Sequence, residues 1–169
     1  MADKYSTITK ELLHEIFEYK DGELYYKKKP NKKASLVKVG MKAGHLYNDG
    51  YLRVTYNKQR YAIHNLIFFM FYGYKPELVD HIDNDVLNNK IENLRAATRS
   101  QNCQNSKLSK NNTSGVKGVT WHKHRKKWMA TCSINKKYTH IGYFSNLEDA
   151  KNAVIKFREE NHGIFANNG

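Results

Sequence analysis

Apolar residues recur at helical spacing near both ends of the chain. Near the N-terminus, residues 8–17 place large apolar side chains on one face and predict a short amphipathic helix: Ile8, Leu12, Leu13, Ile16 and Phe17. A second set predicts a longer helix, which ends at about Asn161 and packs on a sheet: Leu147, Ala150, Ala153, Val154 and Phe157. Residues 145–148 have the form of a capping box for this second helix, and Gly163 suits its end.

Shorter runs of apolar and β-branched residues predict strands in the N-terminal half. They cover residues 24–26, 46–47 and 51–56, and Asn48-Asp49-Gly50 is a strong hairpin-turn signal between the last two. A largely apolar run over residues 61–73 is expected to pack beneath the polar segment that follows it. The N-terminal half therefore mixes short strands with helix.

Three strands are predicted in quick order towards the C-terminus, at residues 118–121, 128–134 and 138–144. The polar, turn-rich residues 107–114 separate them from the rest, and we interpret this segment as a linker that is either a solvated tether or lies along a polyanion. The predicted domains are residues 1–106, the linker 107–114 and residues 115–169. The fold class is α+β, with a C-terminal three-stranded antiparallel sheet packed on one helix.

The charge balance favours a polyanionic partner. The net charge is +13 over 169 residues and the isoelectric point is about 9.6, which favours nucleic acid and a salt-sensitive, largely sequence-independent affinity. No apolar run is long enough to span a bilayer, and the first residues lack a signal-peptide pattern, so no membrane partner is expected. Cys103 and Cys132 form no Cys-x-x-Cys pair, which argues against a structural zinc or a disulfide framework and fits a reducing, intracellular setting.

Four polar residues in the middle of the chain carry candidate chemistry: Asp80, His81, Asn93 and Asn102. Asp80 and His81 fall in a predicted strand at residues 78–82, and residues 83–89 have turn chemistry. Thr98 to Gln101 has the capping-box form, so a helix is expected to begin at Arg99 with Asn102 near its first turn. Histidine is the usual general base near neutral pH, and carboxylate and amide oxygens suit Mg²⁺. An activated water and a cation are what phosphodiester hydrolysis needs.

The residues around these four, at 79–83, 88–89, 91–95 and 98–102, resemble the HNH (ββα-metal) nuclease motif in the form seen in phage-encoded HNH and homing endonucleases. The resemblance implies that Asp80 and Asn102 bind one Mg²⁺, with Mn²⁺ as an alternative metal, and that His81 is the general base. It also implies that Asn93 orients the His81 ring through its other nitrogen or the adjacent backbone. The first domain is therefore expected to be a ββα-metal nuclease domain.

The C-terminal part, over residues 115–166, resembles the plant ethylene-response-factor (Apetala-type) DNA-binding domain. The matching residues are at 115–119, 127–130, 141–144 and 148–150, with Phe157 and His162-Gly163 near the end. In that family a sheet face enters the DNA major groove. Carried over position by position, the expected DNA contacts are Lys117, Thr120, His122, Thr131, Ser133, Tyr138 and His140. Most of these positions hold Arg, Glu or Trp in the plant domains, so the plant sequence preference does not carry over.

Two basic segments are expected to contact the DNA backbone. The turn between the first two C-terminal strands contains Lys123, Arg125, Lys126 and Lys127. A loop in the N-terminal part contains Lys28, Lys29, Lys32 and Lys33. Contacts of this kind set position on the duplex without reading sequence.

These observations predict a metal-dependent endonuclease that binds duplex DNA and cuts one strand in each binding event. It is expected to act as a monomer without an obligate protein partner, inside cells and, if phage-encoded, in the host cytoplasm. Activity should fall under acid as His81 is protonated. The alternatives are a DNA-binding regulator or packaging factor without cleavage activity and an RNA-cutting protein, since basic charge does not distinguish RNA from DNA.

Overall fold

The computed structural model describes residue 5 and residues 7–30, 36–134 and 137–169. The chain divides into two compact units, Met1–Ala96 and Ala97–Gly169. In the first unit, the helices are α1 (Lys10–Ile16) and α2 (Ile63–Tyr72). Its strands are β1 (Phe17–Lys20), β2 (Glu23–Tyr26), β3 (His45–Leu46), β4 (Leu52–Tyr56), β5 (Gln59–Ala62), β6 (Leu78–His81) and β7 (Leu94–Ala97), whose last residue falls in the second unit.

The strands of the first unit form three small sheets. β1 and β2 make an antiparallel hairpin, β3, β4 and β5 lie in that order in a second antiparallel sheet, and β6 pairs with β7. The turn between β1 and β2 is Asp21-Gly22, with φ angles of 47° and 87° that match a type I′ hairpin turn. β1 and β5 are absent from the elements predicted above, because charged residues interrupt their apolar pattern.

The core of the first unit lies between its two helices and the strands beside them. α1 begins at the N-cap Thr9, whose Oγ1 accepts a hydrogen bond from Leu12 N at 3.1 Å, and it buries Leu13 and Ile16. α2 is apolar on most of its surface and ends at Gly73, which has the left-handed φ of 73° common at helix C-termini. The apolar run at residues 61–73 is therefore mostly a buried helix.

The second unit contains α3 (Arg99–Gln104), β8 (Val119–His122), β9 (Lys127–Ile134), β10 (Lys137–Phe144) and α4 (Leu147–His162). The three strands form an antiparallel sheet in the order β10-β9-β8. Val119 and Ala130 from the strands form one buried cluster with Ala150 and Val154 from α4. The apolar stripe of α4 is thus the surface that it buries.

The caps of α3 and α4 test two sequence predictions. The capping box at Thr98 is confirmed, because Thr98 Oγ1 accepts from Gln101 N at 3.3 Å and Gln101 Oε1 accepts from Thr98 N at 2.8 Å. The N-cap predicted at Ser145 is wrong by one residue. Asn146 caps α4, since its Oδ1 accepts from Asp149 N at 2.7 Å.

The boundary between the units falls earlier than the predicted end of the first domain at residue 106. Polar bonds within the second unit explain why the residues after Ala97 belong there. Lys117 Nζ donates to Gln104 O at 2.9 Å and Ser106 O at 2.5 Å, and Asn167 Nδ2 donates to Asn105 O at 2.9 Å. The predicted linker 107–114 contains a turn closed by Asn112 N and Ser109 O at 2.9 Å. The domain bounds themselves stay a prediction.

No helix in the described ranges is both long enough and apolar enough to cross a membrane.

Candidate functional site

The end of β6 carries two buried polar residues side by side. Asp80 and His81 are each 5% exposed, and successive strand residues project to opposite faces of the sheet. Buried polar side chains need hydrogen-bond partners, because leaving them unpaired costs free energy. The partners of these two residues therefore show how the site is organised.

Asp80 is held by an arginine on the neighbouring strand. Arg95 Nε in β7 donates to Asp80 Oδ2 at 2.8 Å, and the two side chains are 13% and 6% exposed. A charge-assisted hydrogen bond this well shielded from water fixes the orientation of the carboxylate. Arg95 has no role in the sequence analysis, since the hydrophobic pattern does not say which residue of β7 lies opposite Asp80.

The ring of His81 contacts an asparagine in the loop after β6. His81 Nε2 lies 3.0 Å from Asn89 Oδ1, and Asn89 is only 2% exposed. Asn89 also has no role in the sequence analysis, because the turn at residues 83–89 is rich in Asn and Asp and nothing in the sequence distinguishes one of them. The contact is the part of the site that sequence reasoning missed most completely.

Asn93 holds the loop that begins just after His81. Its Oδ1 accepts from Asp83 N at 3.1 Å, and its Nδ2 donates to Asp83 Oδ1 at 2.9 Å and Asn88 O at 2.8 Å. Its main-chain oxygen accepts from Ile82 N at 2.9 Å. Of the two contacts predicted for Asn93, the structure has the one to the backbone beside His81, whereas Nε2 of the ring has Asn89 as its partner.

Asp83 is kept ionised inside this loop. Burial acts to raise the pKa of its carboxyl, but hydrogen bonds from Asp85 N, Asn88 and Asn93 outweigh burial, and the pKa is lowered. The negative charge of Asp83 therefore organises the loop near neutral pH, where three donors converge on it.

A second buried histidine lies against His81. The ring centroid of His64, in α2, is 5.0 Å from that of His81 and 5.2 Å from that of Tyr51. Burial, with the neighbouring charges of His81 and Arg53 as smaller causes, lowers the pKa of His64 to about 3. His64 is therefore neutral in the folded protein at all moderate pH values, and its side chain is buried, with 8% exposure.

This depressed pKa predicts acid destabilisation of the fold. Below the ordinary histidine value of 6.5, the unfolded chain binds a proton that folded His64 refuses, so stability present above pH 6.5 is lost as pH falls towards 3. Between pH 7 and pH 5 we expect His64 to contribute a loss of about 2 kcal/mol. Urea unfolding of wild type and His64→Phe at both pH values measures it. A parallel fall in both proteins would contradict the prediction.

Asn102 lies in the second unit. It occupies α3, its main-chain N donates to Thr98 O at 3.0 Å, and its side chain is exposed. The capping box at Thr98 starts α3 at Arg99, so Asn102 lies near the first turn of the helix, as predicted. The structure thus describes the two predicted metal ligands, Asp80 and Asn102, in different units.

The donor chemistry of these two ligands fits a hard divalent cation. Among the residues that the structure describes, no group of three or more His, Cys, Asp or Glu side chains could hold a metal, which excludes a closed zinc-type cage in that part of the chain. Mg²⁺ does not need such a cage, because it binds through one or two protein oxygens and keeps several waters.

The outer face of the second unit's sheet gathers most of the DNA contacts predicted there. Val119 and Ala130 point to the core, so their strand neighbours point outwards. Thr131 is paired with His140 and Ser133 with Tyr138. Thr120 and His122 lie on the same face, opposite Met129 and Lys127 respectively. By the same alternation Met129 and Tyr143 belong to this outer face, and the sequence analysis missed both.

Lys117, the remaining residue carried over as a DNA contact, does not lie on this face. Its ammonium donates to Gln104 O, Ser106 O and Asn167 O, the last at 3.1 Å. Burial, with the nearby charge of Arg158 as the next cause, lowers the pKa of Lys117 to about 8. Three carbonyl oxygens use all three ammonium donors, so Lys117 links separate segments within the second unit.

The basic turn and loop are placed as follows. Lys123, Arg125 and Lys126 are exposed between β8 and β9, and the exposed Lys127 is the first residue of β9. The Arg125 guanidinium lies 4.7 Å from the ring centroid of Tyr143 on the outer face. In the N-terminal loop, Lys28 is ion-paired with Glu15 and Lys29 is exposed. Lys32 and Lys33 lie outside the described residues.

Comparison with known proteins gives three matches. Residues 61–104 match the family described as HNH endonuclease, and residues 114–164 match the AP2 domain. Protein 3.8 of Escherichia phage T7 is 39% identical over 92 residues, which cover 54% of this chain and 75% of the phage protein. No solved structure matches the chain.

Proposed function

The chain belongs to the HNH endonuclease family and carries an AP2 domain, and from that membership we propose that it is a metal-dependent endonuclease that nicks duplex DNA. The family matches indicate nuclease activity with DNA binding. The observation that carries the finer proposal is the pair Asp80 and His81 at the end of β6. Both are buried, both have fixed partners, and both lie within the HNH match.

Each polar residue of the site has a distinct part in the proposed reaction. Asp80 and Asn102 are the residues that would hold Mg²⁺ or Mn²⁺. Such a cation, when bound, stabilises negative charge on the scissile phosphate and the leaving oxygen. His81 takes the proton from the attacking water as general base. Asn93 holds the loop after His81 closed, so that the base keeps its place beside Asp80.

Arg95 adds an electrostatic role that the family resemblance did not suggest. It neutralises much of the charge of Asp80 and keeps one carboxylate oxygen turned towards β7. Because the pair is shielded from solvent, separating the two side chains would leave buried charges unpaired, so the carboxylate is held more firmly than in a surface ion pair. We propose that Arg95 sets the direction in which Asp80 presents itself to a cation.

The C-terminal domain and the basic segments hold the substrate. In this proposal the three-stranded sheet, backed by α4, presents its outer face to the major groove, which is wide enough for a β-ribbon. The DNA-facing side chains are Thr120, His122, Met129, Thr131, Ser133, Tyr138, His140 and Tyr143. Lys123, Arg125, Lys126 and Lys127 meet phosphates beside that face. The Lys28–Glu15 pair is a weak surface pair that a phosphate can replace.

The wider biological setting follows from the same proposal. One catalytic centre in each chain cuts one strand, so a monomer nicks and a double-strand break needs a second visit or a second copy. The phage relative favours a phage-encoded protein that acts in the cytoplasm of the host cell. A homing role fits the same chemistry, as do restriction and packaging-related cleavage.

Removal of the metal tests the proposal directly. With supercoiled plasmid and Mg²⁺ we expect conversion to the nicked circle, and with excess EDTA we expect no conversion, because the phosphate then loses its charge stabilisation. Gel electrophoresis of the plasmid forms measures both, and restoring Mg²⁺ to the EDTA sample should restore nicking. Tight DNA binding without cleavage, with each divalent metal supplied, would instead favour the DNA-binding regulator or packaging factor.

A further inference from the structure

We propose that Asn89 is a positioning residue that fixes the tautomer of His81, so that Nε2 carries the proton and Nδ1 is the basic nitrogen. The contact between Nε2 and Asn89 Oδ1, at 3.0 Å between two buried side chains, is the observation behind it. The assignment of the tautomer rests on this contact and does not depend on the proposed function. Its consequence for catalysis rests on the proposed function, in which His81 is the general base.

The orientation of the Asn89 amide decides which nitrogen is protonated. Asn89 Nδ2 donates to Leu87 O at 3.3 Å, which leaves Oδ1 as the end of the amide that faces the ring. An amide oxygen only accepts hydrogen bonds, and a neutral imidazole has one N–H and one lone pair. Nε2 must therefore be the N–H donor, and the lone pair of His81 is on Nδ1.

A chain of short-range hydrogen bonds holds Asn89 in this position. Asp85 N donates to Asp83 Oδ1 at 2.8 Å, Leu87 N donates to Asp85 Oδ1 at 3.0 Å, and Asn89 N donates to Leu87 O at 3.0 Å. The first two bonds are Asx turns and the third joins main-chain atoms, and together they restrict the backbone conformation of the loop. The oxygen of Asn89 thus reaches the ring from a backbone that has few other conformations.

The β1–β2 hairpin supports the loop from outside the residues that match the HNH family. A Cβ on Gly22 would lie 2.9 Å from Lys90 N and 3.1 Å from the carbonyl carbon of Asn89, so the hairpin turn packs directly on this backbone. Tyr19 Oη accepts from Ile91 N at 3.0 Å, and Lys90 is ion-paired with Asp21 at 2.9 Å. The N-terminal hairpin is therefore part of what positions Asn89.

Nitrogen NMR of the metal-free protein tests the tautomer without any need for activity. Long-range proton–nitrogen spectra at a pH where His81 is neutral distinguish a protonated from an unprotonated ring nitrogen, and His81→Gln identifies the signals by their loss. In the wild type we expect a protonated Nε2 and an unprotonated Nδ1. A protonated Nδ1, or an even mixture of the two tautomers, overturns the proposal, and the tautomer itself is measured in the wild-type protein.

Three substitutions sharpen the same measurement. Asn89→Leu keeps the size of the side chain and removes the acceptor, so we expect a mixture of tautomers. Asn89→Asp keeps an acceptor and should keep the wild-type tautomer. Leu87→Ala is the matched control, since Leu87 is exposed and bonds within the loop through its main chain. An unchanged tautomer in Asn89→Leu overturns the proposal.

Cleavage kinetics separate positioning from simple support of the fold. Asn89→Leu should lower kcat by at least about tenfold, the usual effect of losing the partner that orients a functional histidine, with KM for DNA unchanged. Asn89→Asp should recover a large part of kcat. If the wild-type protein cleaves no DNA, the proposed function fails while the NMR result still decides the tautomer.

Discussion

Replacing His81 with glutamine should lower the rate of DNA cleavage by about 10²- to 10⁴-fold, the usual contribution of a general base. Glutamine fills a similar volume and still has a donor for Asn89 Oδ1, so the buried end of β6 should keep its packing. DNA affinity should stay close to that of the wild type, because no predicted DNA contact is changed. Single-turnover cleavage and a binding titration with Ca²⁺ in place of Mg²⁺ measure the two effects separately.

The matched control for this prediction is His45→Gln. His45 lies in β3 of the same unit and is exposed, so its loss should leave both the cleavage rate and DNA affinity unchanged. Cleavage by His81→Gln at the wild-type rate would remove His81 from the reaction. A loss of DNA affinity in proportion to the loss of cleavage would show that His81 acts in binding.

The sequence predicts which residues form the candidate site better than it predicts which partners those residues contact. Asp80, His81, Asn93 and Asn102 stand out because their identity and order are unusual, whatever the surrounding fold. The partners of the first two do not stand out in this way. Arg95 faces Asp80 only because β6 and β7 pair, and Asn89 reaches His81 only because a loop turns back through a series of side-chain bonds. Strand pairing and loop course are three-dimensional facts that a single sequence does not display.

Local signals predict the helices and turns better than the course of the whole chain. The capping box at Thr98 depends on two side chains and the backbone between them, and it is confirmed. The prediction at Ser145 is wrong by one residue because serine and asparagine cap helices about equally well. The hydrophobic pattern does not predict β1, although the turn that follows this strand, Asp21-Gly22, is a strong hairpin signal.

Position-by-position transfer from the plant domain selects residues that mostly share one face of the sheet. It places Thr120, His122, Thr131, Ser133, Tyr138 and His140 on one outer face, since strand alternation alone fixes that outcome. It does not place Lys117 on that face, because the Lys117 ammonium bonds three carbonyl oxygens inside the second unit. Burial of a lysine depends on what the rest of this particular chain places around it.

Gly118 is a position at which adding a single methyl group should strongly destabilise the protein. Gly118→Ala should destabilise the second unit by about 2–5 kcal/mol, the sum of left-handed strain and overpacking. Gly118 has a φ of 78°, and an added Cβ would lie 2.5 Å from Thr131 O and 2.8 Å from an Arg158 guanidinium nitrogen. The clash with Thr131 falls on the backbone of β9, where Thr131 N also donates to Gly118 O at 2.8 Å. Neither the Gly118 backbone nor β9 can move apart without breaking this hydrogen bond.

Gly115→Ala isolates the clash from the backbone strain. Gly115 has a similar φ of 73°, but nothing lies within 4 Å of an added Cβ, so this variant should cost only about 1–2 kcal/mol. Chemical unfolding of both variants gives the difference, and DNA titration should show weaker binding for Gly118→Ala because the outer face rests on β9. Equal costs at the two positions would mean that the close approach of Gly118 to β9 is not a feature of the folded protein.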